Sequence, residues 1–362
     1  MDSAFIPGLK LSEMFFQEVV KEIIEAEYPG LKYTAALIGP GSEVIGLDDA
    51  VSADHHWGLR LFIFLGLKDY EMHSDSLKKL FRKKLPYEFK GHSTHWSEPD
   101  PNDSGTQLPS LTEDGEINHR IEIHTVNNYL KEHLNLENLE LTDFDWLLLP
   151  EQKLLEFTSG RIFFDTLGDL RTARQYLTYL PDNVWKYKIL SEWEHITQEM
   201  AFAGRTGGIG DELGSKIESS RLVRYIMRLA LLLNKKYIPY PKWFGTTFKK
   251  LPIAQKLEPI LLAILREEDW KERDNILCKA YMMMVEEQNK LQITPELTVR
   301  PKPYHTRNMT VIDTQKVVDA LKKAIKPPLD TLPPIGSVDQ LLDVGGGLSS
   351  KLAQKTRNLF EN

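Results

Sequence analysis

The sequence predicts an α+β fold: a mixed sheet with flanking helices, followed by an all-α domain. Three observations lead there. Three short apolar, β-favouring runs fall within the first 126 residues. From Thr142 onward the apolar residues recur at helical spacing. From Lys326 the chain is punctuated by Pro327-Pro328, Pro333-Pro334 and Gly345-Gly346-Gly347.

Leu11, Met14, Phe15, Val19, Ile23 and Ile24 recur at helical spacing and predict an opening helix over residues 11–26, which Pro29-Gly30 stops. Residues 33–38 form the first strand and run into Gly39-Pro40-Gly41-Ser42, a tight glycine turn. Residues 59–67, with Phe62, Ile63 and Phe64, form a buried second strand. Residues 98–114 have loop chemistry throughout. Strand character resumes over 120–126, and Asn127 onward turns helical. Helices are then expected over 142–157, 167–180, 184–203, 211–236 and, with interruptions, 251–290. In residues 212–233, Leu213, Ile217, Leu222, Ile226, Leu229 and Leu233 share one side.

This reading divides the chain at 1–145, 146–325 and a tail of 326–362, two domains being natural for 362 residues. With 41% hydrophobic and 27% charged residues, the chain has enough apolar material for a core. The formal net charge of −7 counts against a general binder of long nucleic acids, whose affinity comes from Lys and Arg displacing counterions. The basic run at Lys78-Lys79 and Arg82-Lys83-Lys84 reads as a solvated helix face or a local patch. The single cysteine, Cys278, forms no intramolecular disulfide and reads as a packing residue among Ile276, Leu277, Tyr281 and Met282. The amino terminus lacks a basic region followed by an apolar core, and no apolar run approaches membrane-spanning length. A cytoplasmic protein with no membrane partner is expected.

The chemistry-bearing residues lie on or beside the three strands. Gly41-Ser42 follows the first, Ser52-Ala53-Asp54-His55-His56-Trp57-Gly58 leads into the second, and Glu122 sits within the third. A glycine beside a serine lets phosphate oxygens approach the backbone, and the hydroxyl adds a donor. Carboxylates such as Asp54 and Glu122 hold a hard divalent ion against those phosphates. Arg60, at the start of the second strand, is a further candidate for a phosphate contact. Each residue has a plainer reading: Gly41-Ser42 as a turn, Asp54 as a cap before Trp57, Glu122 as part of a solvated strand face.

This pattern resembles the nucleotidyltransferase superfamily related to polymerase beta, in which a glycine-serine pair precedes two acidic residues separated by one, with a third carboxylate on a later strand. Here eleven residues separate Ser42 from Asp54. The resemblance implies a nucleotidyltransferase-like first domain that moves a nucleoside monophosphate from a nucleoside triphosphate to an acceptor, a small molecule being favoured over RNA or protein. It implies Mg2+ or Mn2+ held by Asp54, His56 and Glu122, with Gly41 and Ser42 on the phosphates. His56 stands where the superfamily carries a carboxylate. Imidazole suits a softer ion better than magnesium, so the same position also fits a nucleotide-binding or sensing protein without turnover.

A longer resemblance runs through Phe5-Ile6-Pro7-Gly8-Leu9, Ala35-Ala36-Leu37-Ile38-Gly39, Asp54-His55-His56-Trp57-Gly58, Gly210-Asp211-Glu212-Leu213-Gly214-Ser215, Lys242-Trp243-Phe244-Gly245-Thr246 and Ile335-Gly336-Ser337-Val338-Asp339-Gln340. These segments resemble the uncharacterised DUF4037 family, with a nucleotidyltransferase-like amino terminus.

In the second domain, Glu199 is a candidate base, and Arg205 and Lys242 are candidate phosphate contacts around a glycine-rich corner. The plainer alternative is a structural corner with Asp211 as helix N-cap. Histidines 55, 56, 92, 95, 119 and 124 also raise a third reading, a hydrolase with histidine-bound zinc or iron, although none shows the paired helical spacing of a zincin site.

Overall fold

The computed structural model describes residues 5–51, 57–102, 105–342 and 349–360. The chain forms two compact units: residues 1–140 with 153–178, and residues 141–152 with 179–362. No helix among the described residues is long and apolar enough to cross a membrane.

In the first unit, α1 (Gly8–Phe15) continues through a wider π-helical turn, Phe16–Val20, into α2 (Lys21–Glu27). Strand β1 (Tyr33–Leu37) follows, then β2 (Arg60–Leu65) and α3 (Leu67–Lys84). A short hairpin of β3 (Glu88–Phe89) and β4 (His92–Ser93) leads through the loop to β5 (Arg120–His124) and α4 (Val126–Tyr129). After α5 (Asp143–Leu147), which belongs to the second unit, α6 (Glu151–Thr158) leads to β6 (Arg161–Asp165) and α7 (Asp169–Tyr176).

The sheet has the order β5-β2-β1-β6. Strands β2 and β5 are parallel, and β1 is antiparallel to both of its neighbours. Strand β5 alternates as the period of a pleated strand requires, with Ile121 and Ile123 on one face and Arg120, Glu122 and His124 on the other. The isoleucines join Leu61, Ile63, Leu65, Ala35, Phe15, Phe16, Leu77 and Phe81 in one core. Burying each of the larger side chains contributes about 1.5–3 kcal/mol, which fixes the strand register and so the face on which Glu122 emerges.

The division of the chain differs from the boundary expected at 145/146. Residues 153–178 join the first unit because β6 pairs with β1, Thr34 opposite Asp165 and Ala35 opposite Phe164. Asp165 locks this edge by accepting the Thr34 hydroxyl at 2.6 Å and the Gly168 amide at 2.9 Å.

The second unit is largely helical: α8 (Asp182–Glu199), α9 (Phe202–Gly207), α10 (Glu212–Leu233), α11 (Pro241–Lys249), α12 (Ala254–Arg266) and α13 (Trp270–Lys290). A hairpin of β7 (Pro301–Pro303) and β8 (Thr310–Ile312) precedes α14 (Gln315–Ala324), α15 (Val338–Leu341) and α16 (Ser350–Gln354). Leu222, Ile226, Leu229 and Leu233 of α10 are buried as expected. Leu213 and Ile217, expected on the same apolar side, are 73% and 55% exposed. The tail is tied down over residues 333–340: Lys188 Nζ donates to Ser337 Oγ at 2.5 Å, Gln340 Nε2 donates to Glu192 at 3.0 Å, and Tyr187 donates its hydroxyl to the Pro333 carbonyl at 2.6 Å.

Candidate functional site

The turn that carries Ser42 is built around a buried ion pair. Arg60, 3% exposed, donates from Nε to Glu43 Oε1 at 2.8 Å and from Nη2 at 2.6 Å, and Nη2 also binds the Pro40 carbonyl. Glu43 is 1% exposed. Gly41 has φ +135°, and a Cβ there would stand 2.3 Å from Arg60 Nη2 and 2.5 Å from Glu43 Oε2. Only glycine lets the chain pass this close to the pair. The Leu47 amide donates to the Ser42 carbonyl at 2.9 Å and closes the loop. Arg60, expected on phosphate, thus has its guanidinium engaged by the turn itself.

On the same sheet face, β5 presents Arg120, Glu122 and His124 opposite Arg60, Phe62 and Phe64 of β2. Phe62 in turn lies opposite Ala36 of β1, so Glu122 is two strands from the segment that runs on into Gly41-Ser42. The Glu122 carboxylate is 39% exposed, with Arg120 Nη2 at 3.8 Å and His124 Nε2 at 3.5 Å. Burial opposes its charge, but the His124 hydrogen bond and the positive field of Arg120, His124 and Arg60 win, and the carboxyl lies below its usual value. Arg120 also stacks its guanidinium on the buried Trp96 ring at 5.3 Å. The rings of Phe62, Phe64 and Tyr129 hold His124 in place.

Asp54 and His56 lie outside the described residues. The segment after them is described: the Trp57 indole donates to Asp48 at 3.0 Å, and Asp48 also accepts the Gly8 amide at 2.7 Å. Gly58, at φ +141°, passes against Trp96, where a Cβ would meet the ring at 3.0 Å. Among the described residues no three or more His, Cys, Asp or Glu side chains gather to hold a metal ion. Glu122 supplies one hard oxygen donor, of the kind that magnesium and manganese take.

His119 and His95 have main-chain partners instead. His119 lies between the Lys78 carbonyl and the Ile121 amide, and burial lowers its pKa to about 4; His95 accepts the Asn118 amide.

In the second unit, Glu199 forms an ion pair with Arg221, Nε to Oε2 at 2.8 Å, and accepts the Tyr225 hydroxyl at 3.3 Å. Arg205 is exposed over the Phe202 ring, and Lys242 is exposed over Trp243. Asp211 accepts the Gly214 amide at 2.8 Å, the N-cap of the plainer reading. Sequence reasoning missed Glu43, Asp48 and Arg120. The alternation Arg120-x-Glu122-x-His124 carried the signal for Arg120, since period two places all three on one face.

The fold and site define a mixed α/β protein whose polar sheet face lies beside a glycine-serine turn. The expected family resemblance is found over residues 146–244, which match the domain of unknown function DUF4037. No curated protein matches the chain. Among solved structures, a nucleotidyltransferase-like protein from Exiguobacterium sibiricum 255-15 is 12% identical, with 81% of this chain and 82% of that chain covered at a TM-score of 0.34.

Proposed function

We propose that the first unit binds a nucleoside triphosphate with a divalent ion and transfers the nucleoside monophosphate to an acceptor, a small molecule in preference to RNA or protein. The observation that carries this reading is the shared face: an ionised Glu122 lies on the same sheet face as Arg60, which anchors the turn that bears Ser42. In this proposal Gly41 and Ser42 contact the phosphates, and Asp54 and Glu122 hold Mg2+ or Mn2+, with His56 as a further ligand or donor. The ion neutralises charge that develops on the phosphates. Arg60 and Glu43 hold the turn in shape, and Arg120 fixes the Glu122 carboxylate and keeps it ionised. In the second unit, Glu199, expected as a base, is held in place by Arg221 and Tyr225, while Arg205 and Lys242, expected on phosphates, are exposed.

One observation favours a second reading, nucleotide binding without turnover. Arg120 places a positive charge 3.8 Å from Glu122, where a metal ligand would be needed. The two readings separate by pyrophosphate release, which only the transferase produces.

A thermal-shift screen of the four ribonucleoside triphosphates with magnesium and with manganese tests the proposal. Ligand at one hundred times its dissociation constant stabilises the fold by about 2.7 kcal/mol, a readily measured rise in Tm. No shift at millimolar concentration with any nucleotide or either ion contradicts it.

A further inference from the structure

The second unit has a cavity of about 380 Å³ within itself. Helix α10 sends Arg221, Arg224 and Arg228 toward it at spacings of three and four residues, which places them on one helix face. His195 and Tyr225, stacked with ring centroids 5.2 Å apart, form another part of the wall, and Asp339 contributes a carboxylate. A volume of this size falls in the range of small-molecule pockets.

Two of the arginines are oriented from behind. Arg228 donates from Nε to Glu192 Oε1 at 2.6 Å, and Arg221 Nε lies 2.8 Å from Glu199 Oε2. Asp339 is turned into the fold, its Oδ2 accepting the Glu151 amide at 2.9 Å. Arg228 is only 6% exposed, yet among the described residues its Nη2 has no hydrogen-bond partner. Leaving a charged donor buried and unpaired costs more than an ordinary lost hydrogen bond. Planar guanidinium groups held by carboxylates on one side recognise tetrahedral anions with the donors that remain.

We propose that this cavity binds the phosphate group of a small phosphomonoester, with Arg228 and Arg224 as direct contacts and Arg221 at the rim. The His195-Tyr225 pair faces the rest of the ligand. All of the lining residues belong to the second unit, and the arginines supply the positive charge, so this binding requires no divalent ion.

The probe is inorganic phosphate, titrated into the full-length chain with EDTA at constant ionic strength, with chloride as control and Tm as readout. A saturable rise with phosphate and none with chloride is expected. Arg228→Gln strands the buried Glu192 and puts folding itself at risk, so the decisive variants are Arg224→Gln and the cavity-filling Ser220→Phe at an exposed position. Each is expected to weaken the apparent phosphate affinity at least tenfold, whereas Glu122→Gln in the first unit leaves it unchanged. Three results overturn the proposal: no saturable response in the parent, an unaltered response in both cavity variants, or a response lost in Glu122→Gln and retained in Arg224→Gln.

Discussion

Arg60 and Glu43, seventeen residues apart, form a buried ion pair that closes the turn carrying Ser42. Glu43→Gln would leave the Arg60 guanidinium buried without its counter-charge. Breaking such a pair costs about 3–5 kcal/mol, and urea denaturation is expected to show a loss of that order. The paired change Arg60→Met with Glu43→Leu removes both charges and is expected to recover most of that loss. A loss below about 1 kcal/mol in Glu43→Gln would place the pair among ordinary surface ion pairs, contrary to its burial.

Gly41→Ala is expected to be more damaging than Gly30→Ala. Both residues have positive φ, +135° and +86°, so both substitutions incur backbone strain of about 1–3 kcal/mol. Nothing lies within 4 Å of a Cβ at Gly30, whereas at Gly41 the Cβ strikes the Arg60-Glu43 pair. Equal midpoints of chemical denaturation for the two variants would show that the turn gives way without cost.

Asp274 on α13 makes stability depend on pH. Burial raises its pKa to about 7, against the Thr310 main-chain hydrogen bond and the Arg273 charge, which pull it down. The folded chain therefore holds a proton that the unfolded chain releases near pH 4. This contribution is fully present below about pH 4 and is lost as pH rises toward 7, a change of a few kcal/mol. Asp274→Asn mimics the protonated acid and is expected to flatten the stability profile over that window. A profile that keeps its slope in the variant assigns the dependence to another group.

Much of the architecture was legible in local pattern. The apolar runs marked β1, β2 and β5, and the position of Glu122 between Ile121 and Ile123 placed it opposite the core. Strand β6 was not legible, because Arg161-Ile162-Phe163-Phe164-Asp165 is a short run between two helical patterns and pairs with a strand more than a hundred residues earlier. Helical spacing likewise marked Leu213 and Ile217 as part of a stripe, but periodicity does not reveal whether a neighbour covers it. The engagement of Arg60 with Glu43 was invisible for a related reason, since no local motif links the two. Asp54 and His56, the residues on which the metal reading most depends, lie outside the described residues.

The most direct test is an equilibrium titration of nucleoside triphosphate in the presence of magnesium or manganese, with the parent chain and Glu122→Gln compared. The Glu122 side chain is 39% exposed, so the amide should leave the fold intact. The parent is expected to bind the triphosphate with the metal and to lose affinity in EDTA. Glu122→Gln is expected to bind at least tenfold more weakly with the metal, about 1.4 kcal/mol, and to match the parent without it. Metal-dependent affinity that is the same in both proteins would contradict a nucleotide centre on this face of the sheet.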